Sequence, residues 1–373
     1  MNMWAIGPGY DFSRGITGEM EKQDLLATDR LILGIETSCD ETAVAVVANG
    51  NRILSNLVFS QVERHAIFGG VVPEIASRLH LDTINTLIDA ALDEAGVGFD
   101  DLDALAVSYG PGLVGALLVG IATAKTLSYA LDIPLIAVNH LEGHIYANFL
   151  IHDEGGHGED SGIRFPLLGL VASGGHTDLV WVPRVREAVI LGQTRDDAAG
   201  EAFDKVARAL DLGYPGGPII DCLARQGNPS AIPFPRAYLD EDSRYDFSFS
   251  GLKSAVLNYL HQQKKGGEMF DVPDLAASFQ AAVVEVLVEK TVAAAVERKP
   301  ASLLLSGGVA ANSSLRRQMR ERLVELAPDV KFYCPPPSLC TDNAAMIAAA
   351  AFPYLQSREF ASLDLNAVPN LSF

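Results

Sequence analysis

Leu31-Ile32-Leu33-Gly34-Ile35-Glu36 is an apolar run that ends on a charge. The polar stretch Thr37-Ser38-Cys39-Asp40-Glu41-Thr42 follows it, and a second apolar run, Ala43-Val44-Ala45-Val46-Val47, comes next. Short continuous apolar runs bounded by polar turns read as strands buried on both faces. Asn49-Gly50 is a strong hairpin signal, so Arg52–Phe59 is expected as a third, antiparallel strand. Further along come a helix over Pro73–Ala95, a buried strand over Ala104–Ser108, a Gly110-Pro111-Gly112 loop, a small-residue helix to about Ala130, a strand over Ile133–Val138 and a helix starting near His140.

The same order then recurs. Leu167–Ala172 and Asp178–Val182 read as strands on either side of Ser173-Gly174-Gly175-His176-Thr177, and helical inserts fill the region from Ala198 to about Lys299. A strand at Leu303–Leu305, the loop Ser306-Gly307-Gly308, a helix over Ala311–Leu326, a strand at Val330–Cys334 and a closing helix over Asn343–Ala351 complete it. No residue-level repeat is visible, but the element order is doubled. Two α/β halves predict a cleft between them, with ligands at the carboxyl ends of the strands. The expected division is a tail over residues 1–29, a first domain over 30–152, a second over 163–352 with its helical insert at about 198–299, and an extension over 353–373. The Gly- and acid-rich stretch Gly155–Gly162 reads as a hinge.

At 373 residues the chain exceeds one ordinary domain, and 49% hydrophobic with 20% charged residues is the composition of a folded globular protein. A core of that size needs neither metal nor disulfide to hold it, so a bound metal would be functional. The net charge of −19 repels polyphosphate at long range, and an activity on nucleic acid then needs a local basic patch or a more basic partner. Arg316, Arg317, Arg320 and Arg322 form a local basic cluster, for which a solvated helix face is the blander reading. Cys39, Cys222, Cys334 and Cys340 make no Cys-x-x-Cys pair and read as reduced cytosolic thiols. No secretory leader pattern is visible and no segment reads as a membrane span, so a cytoplasmic location without membrane association is expected.

His140 and His144 share one helix face at i and i+4, a good arrangement of imidazoles for Zn or Fe. The pair alone reads equally well as capping and packing. Asp342, ahead of the last helix, is a hard oxygen donor that could complete a set. Glu142 lies two positions after His140, roughly 200° round the helix, which is the wrong face for the general base of a metalloprotease. The paired glycines in Ser173–Thr177 and Ser306–Ala310 let backbone amides approach an anion, and their matching places in two halves point to a nucleotide in the cleft. Neither loop fits the P-loop pattern. Asp204 and Glu201 could hold a ribose, although a charged helix face is favoured by spacing alone. Asp221 lies one turn into the helix after Gly213-Tyr214-Pro215-Gly216-Gly217-Pro218, and Asn312 opens a helix where an N-cap is the plainer role.

Together these motifs resemble the TsaD (Gcp/Kae) family. The matching stretches are Gly34–Thr42, His140–His144, Ser173–Thr177, Gly200–Lys205, Tyr214–Pro218, Gly307–Asn312 and Cys340–Asp342, in the family's order across about residues 31 to 352. The resemblance implies an α/β, actin/Hsp70/hexokinase-like (ASKHA) fold of two related domains. It also implies transfer of a threonylcarbamoyl group from threonylcarbamoyl-AMP to N6 of the adenosine 3′ of the anticodon, in tRNAs reading codons that begin with A. By that likeness His140, His144 and Asp342 would bind one Fe(II) or Zn(II). Val171, Ala172, Ser173, Gly174, Gly175, Asp204, Gly217, Asp221 and Asn312 would hold the adenylate, and Glu41 would assist the reaction. A TsaB-like paralogue and a TsaE-like ATPase are expected partners, with weak tRNA binding by the chain alone. The rivals are an ASKHA-type ATPase or small-molecule kinase, which leaves the His pair unexplained, a non-enzymatic scaffold, and a metallopeptidase, disfavoured by Glu142.

Overall fold

The computed structural model describes residues 29–151, 162–238, 244–266 and 269–373. The tail expected ahead of Asp29 and residues 155–161 of the hinge expected at 155–162 lie outside the described residues. The first half contains β1 (Leu31–Glu36), β2 (Glu41–Ala48), β3 (Arg52–Ser60), α1 (Val62–Ala66), α2 (Pro73–Ala95), β4 (Ala104–Gly110), α3 (Val114–Leu131), β5 (Leu135–Asn139) and α4 (His140–Tyr146). The second contains β6 (Leu167–Ala172), β7 (Thr177–Arg184), β8 (Glu187–Gln193), α5 (Ala199–Ala209), α6 (Gly216–Ala224), α7 (Ser250–Gly266), α8 (Val272–Arg298), β9 (Ser302–Ser306), α9 (Ser313–Leu326), β10 (Lys331–Tyr333) and α10 (Ala344–Ser357).

The doubling is visible in the sheets. One is ordered β3-β2-β1-β4-β5 and the other β8-β7-β6-β9-β10. In each, the first three strands pair antiparallel and the last two are added in parallel. This is the two-domain α/β architecture expected. The apolar runs of β1 and β2 arise because both faces of the sheet are covered. Ile32, Ala43, Ala45 and Val47 pack on one side with α10, while Leu33, Ile35, Val44 and Val46 pack on the other with residues of α2 and α3.

α2 starts with Pro73 at its first position and stops at Gly96, whose φ of 69° lets its amide and that of Val97 return to the carbonyls of Asp93 and Leu92. α3 is, by length and composition, apolar enough to cross a membrane, which the sequence reading did not anticipate. Here Ala116, Leu117, Val119, Gly120, Ile121 and Ala124 are buried, and Leu117, Ile121 and Ala124 join the core under the first sheet.

The largest departure is α10. The sequence reading closes the second half with it, yet its buried face from Ala344 to Ala351 packs on the first sheet. Gly34 permits the approach, since a Cβ there would lie 2.3 Å from the Ala344 carbonyl. The extension follows the same half: the Ala361 and Val368 amides donate to the carbonyls of Leu135 and Tyr109. Conversely α4 reaches the second sheet, with Leu141 and Ile145 packed among Leu167, Val171, Val180 and Leu304. Two helices that carry candidate ligands, or start beside one, therefore lie between the sheets. β8 had no counterpart in the sequence reading, because its mixed exposure gives neither alternation nor a buried run.

Candidate metal centre and cleft

α4 begins where β5 ends. The Asn139 side chain caps it, accepting from the Leu141 amide at 2.9 Å, which fixes His140 as the first helical residue and His144 one turn on. Asp342 immediately precedes Asn343, whose side chain caps α10 by accepting from the Met346 amide at 3.1 Å. The two caps aim three side chains at one point. Asp342 Oδ1 is 3.5 Å from His140 Nε2 and 3.2 Å from His144 Nε2, and one donor atom from each residue lies within 4.8 Å of the others. The imidazoles meet edge to face at 4.7 Å.

Both His144 ring nitrogens are buried with no hydrogen-bond partner among the described residues. Nε2 is close to Asp342 but lacks hydrogen-bond alignment, so the contact is electrostatic. Buried nitrogens left unpartnered are costly, and two imidazoles with a carboxylate form a donor set that Zn or Fe accepts. The residues present therefore fit a metal ion. Burial opposes a charge on His140, but the Glu36 and Asp342 carboxylates outweigh it and carry its pKa up to about 9. Burial would raise the Asp342 carboxyl, yet the two histidines hold it down at about 2.

Glu142 is not part of this cluster. Its Oε2 accepts from the Tyr354 hydroxyl at 2.9 Å, and it lines a separate cavity of about 230 Å³ with Tyr109, Tyr146, Phe149 and Arg186. The angular argument from the sequence holds, and the peptidase arrangement is missing its base.

Glu41 opens β2 beside Asp40. Burial, then the Asp40 and Asp342 carboxylates, push its pKa up to about 9. Asp40 also acts electrostatically on Asp204 and Tyr214 of the second half, so the β1–β2 loop faces them across the cleft. Gly112 backs this loop: a Cβ there would lie 2.5 Å from the Ser38 carbonyl, and the Leu113 amide donates to the same oxygen. The Gly110-Pro111-Gly112 turn is thus a support.

On the far side, Gly174 and Gly175 are exposed, and a Cβ on either would meet nothing within 4 Å. Gly200 at the start of α5 sits against this loop, its amide donating to the Ser173 carbonyl at 3.1 Å. Val171 and Ala172 are fully buried within the sheet, and the structure does not bring them to the surface of the cleft. Asp204 accepts from the Gly216 amide at 2.7 Å, and Gly217 beside it faces open space. Asp221 accepts from the Ser313 hydroxyl at 2.9 Å and pairs with Arg225. Asn312 next to Ser313 caps α9, accepting from the Leu315 amide, and donates to Gln280 at 2.7 Å. Asp204, Gly217, Asp221 and Asn312 therefore form one connected rim, although the Asn312 and Asp221 side chains already have partners. Glu201 pairs with Lys205, the charged helix face favoured by spacing.

The basic cluster resolves into structural contacts. Arg316 donates to the Ala310 and Pro335 carbonyls, Arg317 pairs with Glu321, Arg322 pairs with Glu289 and Glu325, and Arg320 lies over Phe332. Two site neighbours went unassigned in the sequence. Glu36 faces His140 Nδ1 at 2.9 Å. Burial, then His140 and His144, push His176 down to about 4, which puts it beside the triad. Its place directly after the Gly174-Gly175 pair was the available signal.

A family model described as "TsaD: tRNA N6-adenosine threonylcarbamoyltransferase" matches residues 52–349. The chain is 58% identical to the tRNA N6-adenosine threonylcarbamoyltransferase of Moorella thermoacetica, covering 93% of this chain and 98% of that protein. It is 57% identical to the protein of the same description from Geobacillus kaustophilus, over 95% and 99%. Among solved structures it resembles HypF of T. kodakarensis at 13% identity and TM-score 0.55, covering 91% of this chain and 49% of that one. It also resembles component A of the Acidaminococcus fermentans (R)-2-hydroxyglutaryl-CoA dehydratase at 14% identity and TM-score 0.50, over 88% and 99%. At these identities the structural likenesses speak for the fold alone.

Proposed function

The chain belongs to the TsaD family of tRNA N6-adenosine threonylcarbamoyltransferases, and from that premise we propose how its cleft carries out the transfer. The donor is threonylcarbamoyl-AMP and the acceptor is N6 of the adenosine 3′ of the anticodon in tRNAs reading codons that begin with A. The N6 amine bonds to the carbamoyl carbon, the bond from that carbon to the phosphate oxygen breaks, AMP leaves with the electron pair, and the proton that N6 loses passes to the departing phosphate or to solvent. The observation that carries the reading is the convergence of His140, His144 and Asp342 beside the open Gly174-Gly175 loop.

His140, His144 and Asp342 would hold one Fe(II) or Zn(II). When bound, the ion supplies a Lewis acid and a fixed positive charge for the donor. Backbone amides of Gly174 and Gly175 receive the phosphate, and the rim of Asp204, Gly217, Asp221 and Asn312 receives the nucleoside. An ionised Glu41 would repel the adenylate phosphate. Burial and the neighbouring Asp40 favour the protonated form, which can donate a hydrogen bond to that anion. The chain's −19 charge and its internally paired arginines support weak tRNA binding alone, with a TsaB-like paralogue and a TsaE-like ATPase completing a cytoplasmic assembly. Exposed Leu81, Val114, Leu118 and Tyr129 on α2 and α3 offer an apolar surface for such docking.

Reconstitution with synthetic threonylcarbamoyl-AMP, unmodified tRNA and the two partners tests the proposal. Modified adenosine should form with the wild-type chain and be lost in His140→Ala and Asp342→Ala variants that keep their circular dichroism. Full transfer by both variants would remove the triad from the mechanism.

A further inference from the structure

We infer that Glu36 is a positioning residue for the metal centre: it holds His140 with its proton on Nδ1, so that Nε2 faces Asp342, and it ties that ring to the Thr37–Thr42 loop. The inference rests on the metal reading above and adds a residue to it.

Glu36 ends β1, an otherwise apolar central strand, and is fully buried. A carboxylate in that place is costly unless both oxygens are satisfied. Oε2 lies 2.9 Å from His140 Nδ1, and Oε1 accepts a short hydrogen bond from the Ser38 backbone amide. His140 is its one ion-pair partner among the described residues. The Ser38 hydroxyl approaches the same Nδ1 at 3.2 Å. With Oε1 occupied by the Ser38 amide and Oε2 accepting from the ring, the hydrogen of this contact is placed on Nδ1. When a metal replaces the second ring proton, the nitrogen it meets is then Nε2, the atom 3.5 Å from Asp342 Oδ1.

His144 differs, since neither of its ring nitrogens has a hydrogen-bond partner among the described residues. Within the pair, and among the described residues, only His140 has a carboxylate at Nδ1. The Ser38 amide is also the start of the loop that carries Asp40 and Glu41. One buried side chain thereby couples the metal ligand to the loop facing the donor. Carboxylates placed behind a ligating histidine contribute ~10–100-fold to metal affinity.

The test uses the full chain and zinc alone, with affinity measured by chelator competition. Glu36→Gln keeps an acceptor oxygen for Nδ1–H but loses the charge, and Glu36→Ala loses both. The expected result is a fall of ~10–100-fold for Glu36→Ala, an intermediate value for Glu36→Gln, and a zinc-loaded wild type whose His140 ring, by long-range 1H–15N correlation, is protonated at Nδ1. Affinity unchanged in Glu36→Ala overturns the role of Glu36 and leaves the metal reading standing. A wild type that takes up no zinc or iron overturns both. If the alanine variant fails to fold, the wild-type spectrum decides, and a proton on Nε2 rejects the inference.

Discussion

Replacing Glu142 with glutamine separates the two faces of α4. Glu142 lines the cavity on the side away from the histidine pair, and its hydrogen bond is the one donated by Tyr354 at 2.9 Å. Burial lifts its pKa from 4.5 to about 7, against the opposing effects of Tyr354 and Arg186. Well below pH 4.5 the group is neutral in folded and unfolded chains alike and carries no cost. Above pH 7 it is ionised in both, and the folded state bears the full penalty. Wild-type stability attributable to this group therefore falls as pH rises from 4.5 through 7. A rise of that size corresponds to ~3 kcal/mol at full ionisation, reduced to ~1–2 kcal/mol by screening through the cavity. Urea denaturation at pH 5 and pH 8.5 measures it. Glu142→Gln should exceed the wild type by only a few tenths of a kcal/mol (~0.3–0.5) at pH 5 and by ~1–2 kcal/mol at pH 8.5, with metal content and transfer unchanged. A variant with no gain at pH 8.5 would refute the buried-carboxyl argument. Loss of transfer with the fold intact would bring Glu142 back into the chemistry.

Three further substitutions probe other parts of the cleft. Gly200→Ala puts a Cβ 2.5 Å from the Ser173 carbonyl; overpacking of this kind costs ~1–3 kcal/mol and should displace the Gly174-Gly175 loop, read as weaker AMP binding in calorimetry. Asn312→Ala removes the cap of α9 and leaves the buried Gln280 without its donor, a loss of ~2–3 kcal/mol of unfolding free energy measured by urea denaturation. Burial alone lifts Asp178 from 3.8 to about 6. Asp178→Asn should consequently gain stability over the wild type above pH 6 and none below pH 4, and an equal difference at both would dismiss the ionisation account.

The strands and the doubled order were legible because both faces of each sheet are buried, which writes long apolar runs into β1, β2 and β6. The partner of α10 was not. An alanine-rich helix buried along its length announces burial, but apolar burial is non-directional and does not say which sheet receives it. His140 and His144 were legible from helical spacing, whereas Asp342 needed the family's pattern to be tied to them, being some 200 residues away. Glu36 was hidden for the same reason: a charge ending an apolar strand is conspicuous, but its partner 104 positions later is fixed only by the fold. Asn312 showed the opposite difficulty, since its capping role and a place on the nucleotide rim are both compatible with its position at the start of α9.

The claim at the centre is that transfer needs one metal ion held by His140, His144 and Asp342. Stripping the wild-type chain with a chelator and then restoring Zn(II) or Fe(II) in steps, while following modified adenosine in the reconstituted mixture, addresses it most directly. The account expects activity to vanish on stripping and to return with one equivalent of metal, but not in His144→Ala. Full transfer by the stripped chain would contradict it.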